Sequence, residues 1–327
     1  MTTRWLAGSL IVILIIVISA GFVLSRTNDS NQIHDIFASV TEQPSSQHLP
    51  QIADSLGFVS HSMSLNVPLR ANPEKILVYK TLPPNASRNR LDEYAKILKV
   101  NGTFREGTQG ISLQSEDLIF GVEIGKVSGD VRYLVQNRPD DTLDSPDKLP
   151  SDEEAVMIAT QFLKDNNIYP EGAAFRKTEQ EYERSTDKNG TEIRHAGRIV
   201  VWFGRTLNNL DVKGTQLYVE IGGNGDVIGY LANWREYMPT KELPIKSPEA
   251  AFEDLKQEGL RTSQESPSIS ITNVTLAYRT KAGAYEEEYL EPIWIFSGTA
   301  SADKTSSESV SKYIPALTGE SVKSLTS

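Results

Sequence analysis

Carboxylates are the groups in this sequence most densely placed for chemistry. Glu286-Glu287-Glu288 and Glu291 lie within one short stretch, and a carboxylic acid beside a carboxylate is what glycoside hydrolysis needs. That chemistry requires the two groups about 5–10 Å apart in space, which neighbourhood in sequence does not set. Asp140, Asp141, Asp144 and Asp147 form a second acidic group. They lack the glycine and closing glutamate of a helix–loop–helix calcium site, so a solvated linker is the expectation. His34, His48 and His61 lack the i, i+4 spacing of a metal pair, and His195 stands alone just before an apolar run. There is no Gly-x-Ser-x-Gly elbow, no phosphate loop ending in Gly-Lys-Ser/Thr and no His-Glu-x-x-His helix. The sequence therefore assigns no catalytic, cofactor-binding or metal-ligating residue. Trp202, Phe203, Trp234 and Trp294 could stack on sugars or peptides, but on alternating strands they are expected to fill a core between sheet and helix.

Such residues need a frame, and the frame is legible in part. Leu91, Tyr94, Ala95 and Leu98 recur at helical spacing. Ser151 and Glu154 form a capping box ahead of Ala155, Ile158, Ala159, Phe162 and Leu163, and Ser247-Pro248 opens a third helix. Each helix is followed by strand-like runs. These lie near 110–113, 118–124 and 130–135, then 175–182, 198–203, 215–221 and 226–234, then 268–278, 291–296 and 313–317. Gly222-Gly223-Asn224-Gly225 suits a hairpin turn, because glycine and asparagine tolerate positive φ.

Composition narrows the setting. The chain has 327 residues, 33 Lys and Arg against 43 Asp and Glu, and a net charge of −10. Nucleic acid is disfavoured as a partner, since phosphate binding needs a basic surface. The absence of cysteine excludes disulfides, thiol nucleophiles and Cys-ligated metals. From Trp5 to Ser25 no residue is charged. A helix of that length spans roughly 30 Å, the thickness of a bilayer core. The alternative is a cleaved signal peptide, with Ser19-Ala20-Gly21 as the processing site. The expected arrangement is a single-pass anchor with the acidic body outside the cell, which the sequons at Asn85, Asn101, Asn189 and Asn273 would suit.

Internal similarity adds a second signal. Val122-Glu123-Ile124, Gly129-Asp130-Val131 and Tyr133-Leu134 are echoed by Val219-Glu220-Ile221, Gly225-Asp226-Val227 and Tyr230-Leu231. Val201-Trp202-Phe203-Gly204 is echoed by Ile293-Trp294-Ile295-Phe296-Ser297-Gly298. Three related helix-then-hairpin units are the economical account, at about 90–137, 151–238 and 247–320.

These residues, with the run from Trp202 to Val212 and the ending Tyr313-Ile314-Pro315-Ala316-Leu317-Thr318-Gly319-Glu320, resemble the PepSY-like units of the YycH/YycI regulatory proteins and the YpeB germination protein. The resemblance covers about 90–320 and rests on turn glycines and core aromatics. It implies an α+β fold: an N-terminal transmembrane helix followed by tandem helix-plus-antiparallel-sheet units. The corresponding division is an anchor at 1–26, a stalk at 27–70, a first unit at 71–137, a linker at 138–150, a second unit at 151–238 and a third at 239–327. It also implies a membrane-anchored extracytoplasmic protein, not an enzyme, that binds a protein partner such as a sensor kinase or a hydrolase without covalent chemistry. A carboxylate-dependent surface hydrolase and a structural spacer are the alternatives. The family brings no catalytic residues and no cofactor.

Overall fold

A computed structural model describes residues 58–69, 73–135, 149–186, 190–265, 267–302 and 307–326. The anchor at 5–25, most of the stalk, His34, His48, Asn189 and the acids of the linker lie outside them. No described helix is long and apolar enough to cross a membrane.

The chain opens with β1 (Phe58–Ser60), β2 (Met63–Leu65) and β3 (Lys75–Thr81), then α1 (Arg88–Ile97). The strands β4 (Thr103–Glu106), β5 (Gly110–Gln114), β6 (Phe120–Gly125) and β7 (Val131–Val135) follow it. Next come α2 (Asp152–Asp165), β8 (Ala173–Thr186), β9 (Glu192–Leu207), β10 (Leu210–Ile221) and β11 (Val227–Asn233). After β12 (Tyr237–Pro244) come α3 (Pro248–Glu258), β13 (Leu260–Thr262), β14 (Ser268–Arg279), β15 (Glu291–Ser301), β16 (Glu308–Pro315) and α4 (Gly319–Thr326).

The α+β expectation is corrected here. Sixteen strands stand against four α-helices among the described residues, so the protein is mainly β. The strands are not parcelled into tandem helix-plus-sheet units either, because one sheet of twelve strands runs through all three stretches. Two junctions make it continuous. Tyr230, Leu231 and Ala232 of β11 pair antiparallel with Tyr133, Arg132 and Val131 of β7. Val212 and Lys213 of β10 pair parallel with Tyr278 and Arg279 of β14. β9 accompanies β10 along both its stretches, while the opposite edge of β10 passes from β14 to β11 across an irregularity between Val212 and Leu217. Gly214 sits there at φ +85°, and a Cβ would lie 2.6 Å from the Thr280 carbonyl oxygen, so this crossing needs glycine.

Local chemistry explains the helices. In α2 the Ser151 hydroxyl accepts from the Glu154 amide while the Glu154 carboxylate accepts from the Ser151 amide. Its Ala155, Ala159 and Leu163 are fully buried. The turn at 222–225 joins β10 to β11, with Asn224 at φ 58° and Gly225 at φ 79°.

Side-chain alternation sorts the strands into two faces. Ile111, Leu113, Val122, Ile124, Val201, Phe203, Val219 and Tyr230 pack with α1 and α2 in one core. Ile269, Ile271, Tyr278, Trp294, Phe296 and Ile314 pack with Phe252 and Leu255 of α3 in a second. On β9 the run Ile199, Val201, Phe203 feeds the first core, and Leu207, in the same phase, touches the second. These three helices therefore share one side of the sheet. The segment ending the stalk is tied in as well, β1 pairing with β13 and β2 with β14.

Candidate binding face and interdomain joint

Residues of the opposite phase form the far face of the sheet. Register places one row of them straight across eight strands: Lys177, Trp202, Tyr218, Leu231, Arg132, Glu123, Ser112 and Arg105, each paired with the next. At about 4.8 Å between strands this row is roughly 34 Å long. α1, α2 and α3 contact the sheet through the two cores, on the other side.

The row begins in an aromatic shelf. The Trp202 and Tyr218 rings lie 4.7 Å apart and tilted by 59°, and the Lys177 ammonium sits 5.8 Å from the Trp202 ring. It continues into buried charge. Arg132 Nε bonds Asp130 Oδ2 at 2.9 Å, both side chains being more than nine-tenths buried. Burial pushes the Glu123 carboxyl up to about 7, against the pull of Arg132 and with help from Asp130. A second row lies beside it: Arg198 Nη2 meets Glu181 at 2.6 Å and its Nε meets Glu220 at 3.5 Å. Burial raises the Glu220 carboxyl as well, Glu181 adding to the effect and Arg198 opposing it. Gly229, opposite Glu220 in the register, leaves the space this carboxylate fills, and a Cβ there would run into it.

Polar atoms on this face are buried without partners. Glu123 Oε2, Trp202 Nε1 and Asn233 Oδ1 have no hydrogen-bond partner among the described residues. Native proteins satisfy the great majority of buried polar atoms, so these three orphans, a donor and two acceptors, stand out on this face.

A different polar cluster joins the two cores. Glu287, whose side chain is 1% exposed, accepts from Tyr237 OH at 2.8 Å, Thr81 Oγ1 at 3.2 Å, Thr280 Oγ1 at 3.0 Å and the Lys281 amide at 2.5 Å. Arg235 reaches the Val127, Ala282 and Tyr285 carbonyls at 3.3, 3.2 and 2.6 Å. That guanidinium ties the β6–β7 turn to the β14–β15 loop. Arg205 bonds the Arg235 carbonyl at 2.6 Å and lies between the Trp234 and Tyr237 rings, 4.8 and 4.7 Å from their centres. Burial lowers the Arg205 guanidinium, and burial, with Glu287 second, raises the Tyr237 phenol.

The structure relocates several residues singled out by sequence. Glu287 is buried in the joint, Glu286 and Glu288 are exposed, and Glu291 accepts from Arg279 at 2.5 and 2.9 Å, so this run does not gather into a carboxyl pair. Phe203 and Trp294 fill the cores as expected, whereas Trp202 stands on the far face. The Trp202 and Trp294 echo is thus out of phase. The Val-Glu-Ile echo is in phase: Val122, Ile124, Val219 and Ile221 face the helices, so Glu123 and Glu220 both reach the far side. That repeat is the available signal for the acidic pair. His61 Nδ1 lies 2.8 Å from the Lys256 carbonyl oxygen at an exposed position. His195 is in β9, with its side chain outside the described residues. Asn85, Asn101 and Asn273 are exposed. No group of three or more His, Cys, Asp or Glu among the described residues is placed to hold a metal ion.

No protein family's sequence profile matches the chain, and no curated protein matches it. Among solved structures, it is similar to an uncharacterized protein from Eubacterium rectale, at 13% identity over 88% of this chain and 97% of that one, with a TM-score of 0.47. Nothing about this chain's chemistry follows from a likeness of that size.

Proposed function

We propose that this chain is a noncovalent binding protein, held at the membrane by residues 5–25, whose extracytoplasmic body presents the far face of its sheet to a regulatory protein partner. The carrying observation is the set of buried, unpartnered polar atoms beside the Trp202–Tyr218 shelf. Donors and acceptors from a partner segment laid along the row would satisfy them, and aromatic side chains with arginine are what binding hot spots favour. The uncharged stretch from Trp5 to Ser25 supports the membrane attachment, and the resemblance to PepSY-like regulators supports the protein partner. Acids and bases alternate along the face, which suits a mixed-charge segment better than a polyanion.

The test is site-specific photo-crosslinking of the full-length protein in its own membrane. Probes at Ser112 and Tyr218 should trap one protein that a probe at Glu93, on α1, does not. That protein, once purified, should bind the intact chain at least tenfold more weakly when Trp202 is changed to Ala. Equal trapping from Glu93, or binding indifferent to Trp202→Ala, would move the partner off this face.

A further inference from the structure

α2 carries apolar surface on both its sides. Ala155, Ala159 and Leu163 are buried in the first core, while Met157, turned outward, is 65% exposed. A surface helix ordinarily turns charged and polar residues outward. Here Val156, Met157, Ile158 and Phe162 line a hollow of about 610 Å³ against this helix. A second hollow, of about 310 Å³, runs from Met157 and Ile158 to Asn224 and Gly225 at the β10–β11 turn.

The chain ahead of β1 supplies a matching element. Ile33, Ile36, Phe37 and Val40, which lie outside the described residues, recur at i, i+3, i+4 and i+7, the spacing of one helix face. They are the only large apolar side chains between Thr27 and His48, so a polar stretch of chain holds one apolar stripe that it cannot cover itself. As a helix face the stripe is about 10 Å long, and Val156 to Phe162 covers about 9 Å of α2. Reach selects this stripe over the apolar residues that follow it. Leu49, Ile52 and Leu56 stand within nine residues of Phe58, where β13 holds β1 beside the second core. Val40 is separated from Phe58 by 17 residues, up to about 60 Å of chain, which is ample to reach α2 in the first core. Tethering favours this occupant over a separate molecule, because two elements of one chain meet at a high effective concentration.

We infer that the stripe Ile33, Ile36, Phe37 and Val40 docks on the outward face of α2, so that the chain's own entry segment covers Met157. The contact stands apart from the proposed function, but its consequence rests on that reading. With residues 5–25 in the membrane, residues 26–32 reach less than about 30 Å. Docking then holds α2 toward the bilayer and turns the far face, on the other side of the sheet, away from it.

The absence of cysteine makes the test direct. Full-length protein carrying Phe37→Cys and Met157→Cys, in its own membranes, should be joined within one chain by a short bis-maleimide. Phe37→Cys with Met238→Cys should not be, although Met238 on β12 is also exposed, at 47%. Alkylation of Met157→Cys should speed up at least fivefold when Ile36→Asp and Phe37→Asp are added, while alkylation of Met238→Cys stays as it was. Circular dichroism melts on the same variants separate a lost fold from a lost contact. These readouts need no partner protein, so they hold or fail independently of the crosslinking from Ser112 and Tyr218. The inference is overturned by a Phe37→Cys link to Met157→Cys no stronger than to Met238→Cys, by Met157→Cys joining a second copy or another protein instead, or by alkylation indifferent to Ile36→Asp and Phe37→Asp.

Discussion

The joint between the cores and the far face of the sheet both bury acids beside arginines, yet they treat them oppositely. At the joint, Glu287 gathers donors from Thr81, Tyr237, Thr280 and Lys281, and Arg235 finds three carbonyls on two loops. These groups come from separate stretches of chain, so satisfying one carboxylate also fixes how the stretches meet. On the far face, Glu123 keeps one oxygen unpartnered and Trp202 an unpartnered indole N–H. A polar network that is complete rigidifies, and one that is incomplete is costly to keep. The joint keeps orphans of its own at Arg205 Nε and Arg235 Nε, so the difference lies in the acids: both oxygens of Glu287 are engaged, while one oxygen of Glu123 is not, which the proposed function reads as a face open to a partner.

The largest expected effect tests the joint. Glu287→Ala leaves Arg235 buried without its nearest carboxylate, 4.0 Å away, and leaves the Tyr237 and Thr280 hydroxyls without their acceptor. Breaking a buried charged cluster by removing one member costs about 3–5 kcal/mol. Urea unfolding of Glu287→Ala should show a loss in that range, and a loss below about 1 kcal/mol, the scale of an exposed ion pair, would remove the contrast between the two regions.

Glu123 provides the next test, through pH. Its carboxyl is raised from 4.5 to about 7, so between those values the folded protein holds a proton that the unfolded chain has released. Stability therefore falls as pH rises from about 4.5 to about 7 and levels off above. The shift corresponds to on the order of 3 kcal/mol. Glu123→Gln should abolish this slope and leave the protein more stable than wild type at about pH 8, above the raised value. Unfolding free energies measured from about pH 5 to about pH 8 should therefore converge at the acid end and separate at the alkaline end. Parallel curves would mean that Glu123 is solvated like an ordinary surface acid.

Part of this contrast is readable in the sequence and part is not, for a physical reason. The Ser151–Glu154 capping box and the 222–225 turn are settled within a few residues, and the structure has both. Alternation along Val201-Trp202-Phe203 shows that Trp202 and Phe203 point opposite ways, but only the helix that docks on the sheet decides which is inside. The pairings that merge the units into one sheet join Tyr230 to Tyr133 and Val212 to Tyr278, residues far apart along the chain. No local pattern specifies them, and tandem units are the natural reading without them. The Glu287 joint is likewise nonlocal: Thr81, Tyr237 and Glu287 have no common motif.

A matched pair of aromatic substitutions makes the finest distinction. Tyr237→Phe removes one hydroxyl that donates to Glu287 and leaves that buried carboxylate a donor short, which should cost about 1.5–3 kcal/mol. Trp202→Phe also removes a polar hydrogen and a larger share of ring surface, but the lost N–H had no acceptor. Relief of the orphan offsets the lost packing, so the net change in unfolding free energy should stay within about 1 kcal/mol. The larger truncation thus has the smaller effect on stability, an order that apolar burial alone reverses. Binding should invert the pair: Tyr237→Phe leaves the far face intact, whereas Trp202→Phe deletes a donor that the partner would engage. If both variants lose the same stability and the same affinity, the joint and the far face are one structural network, and the division of labour between them fails.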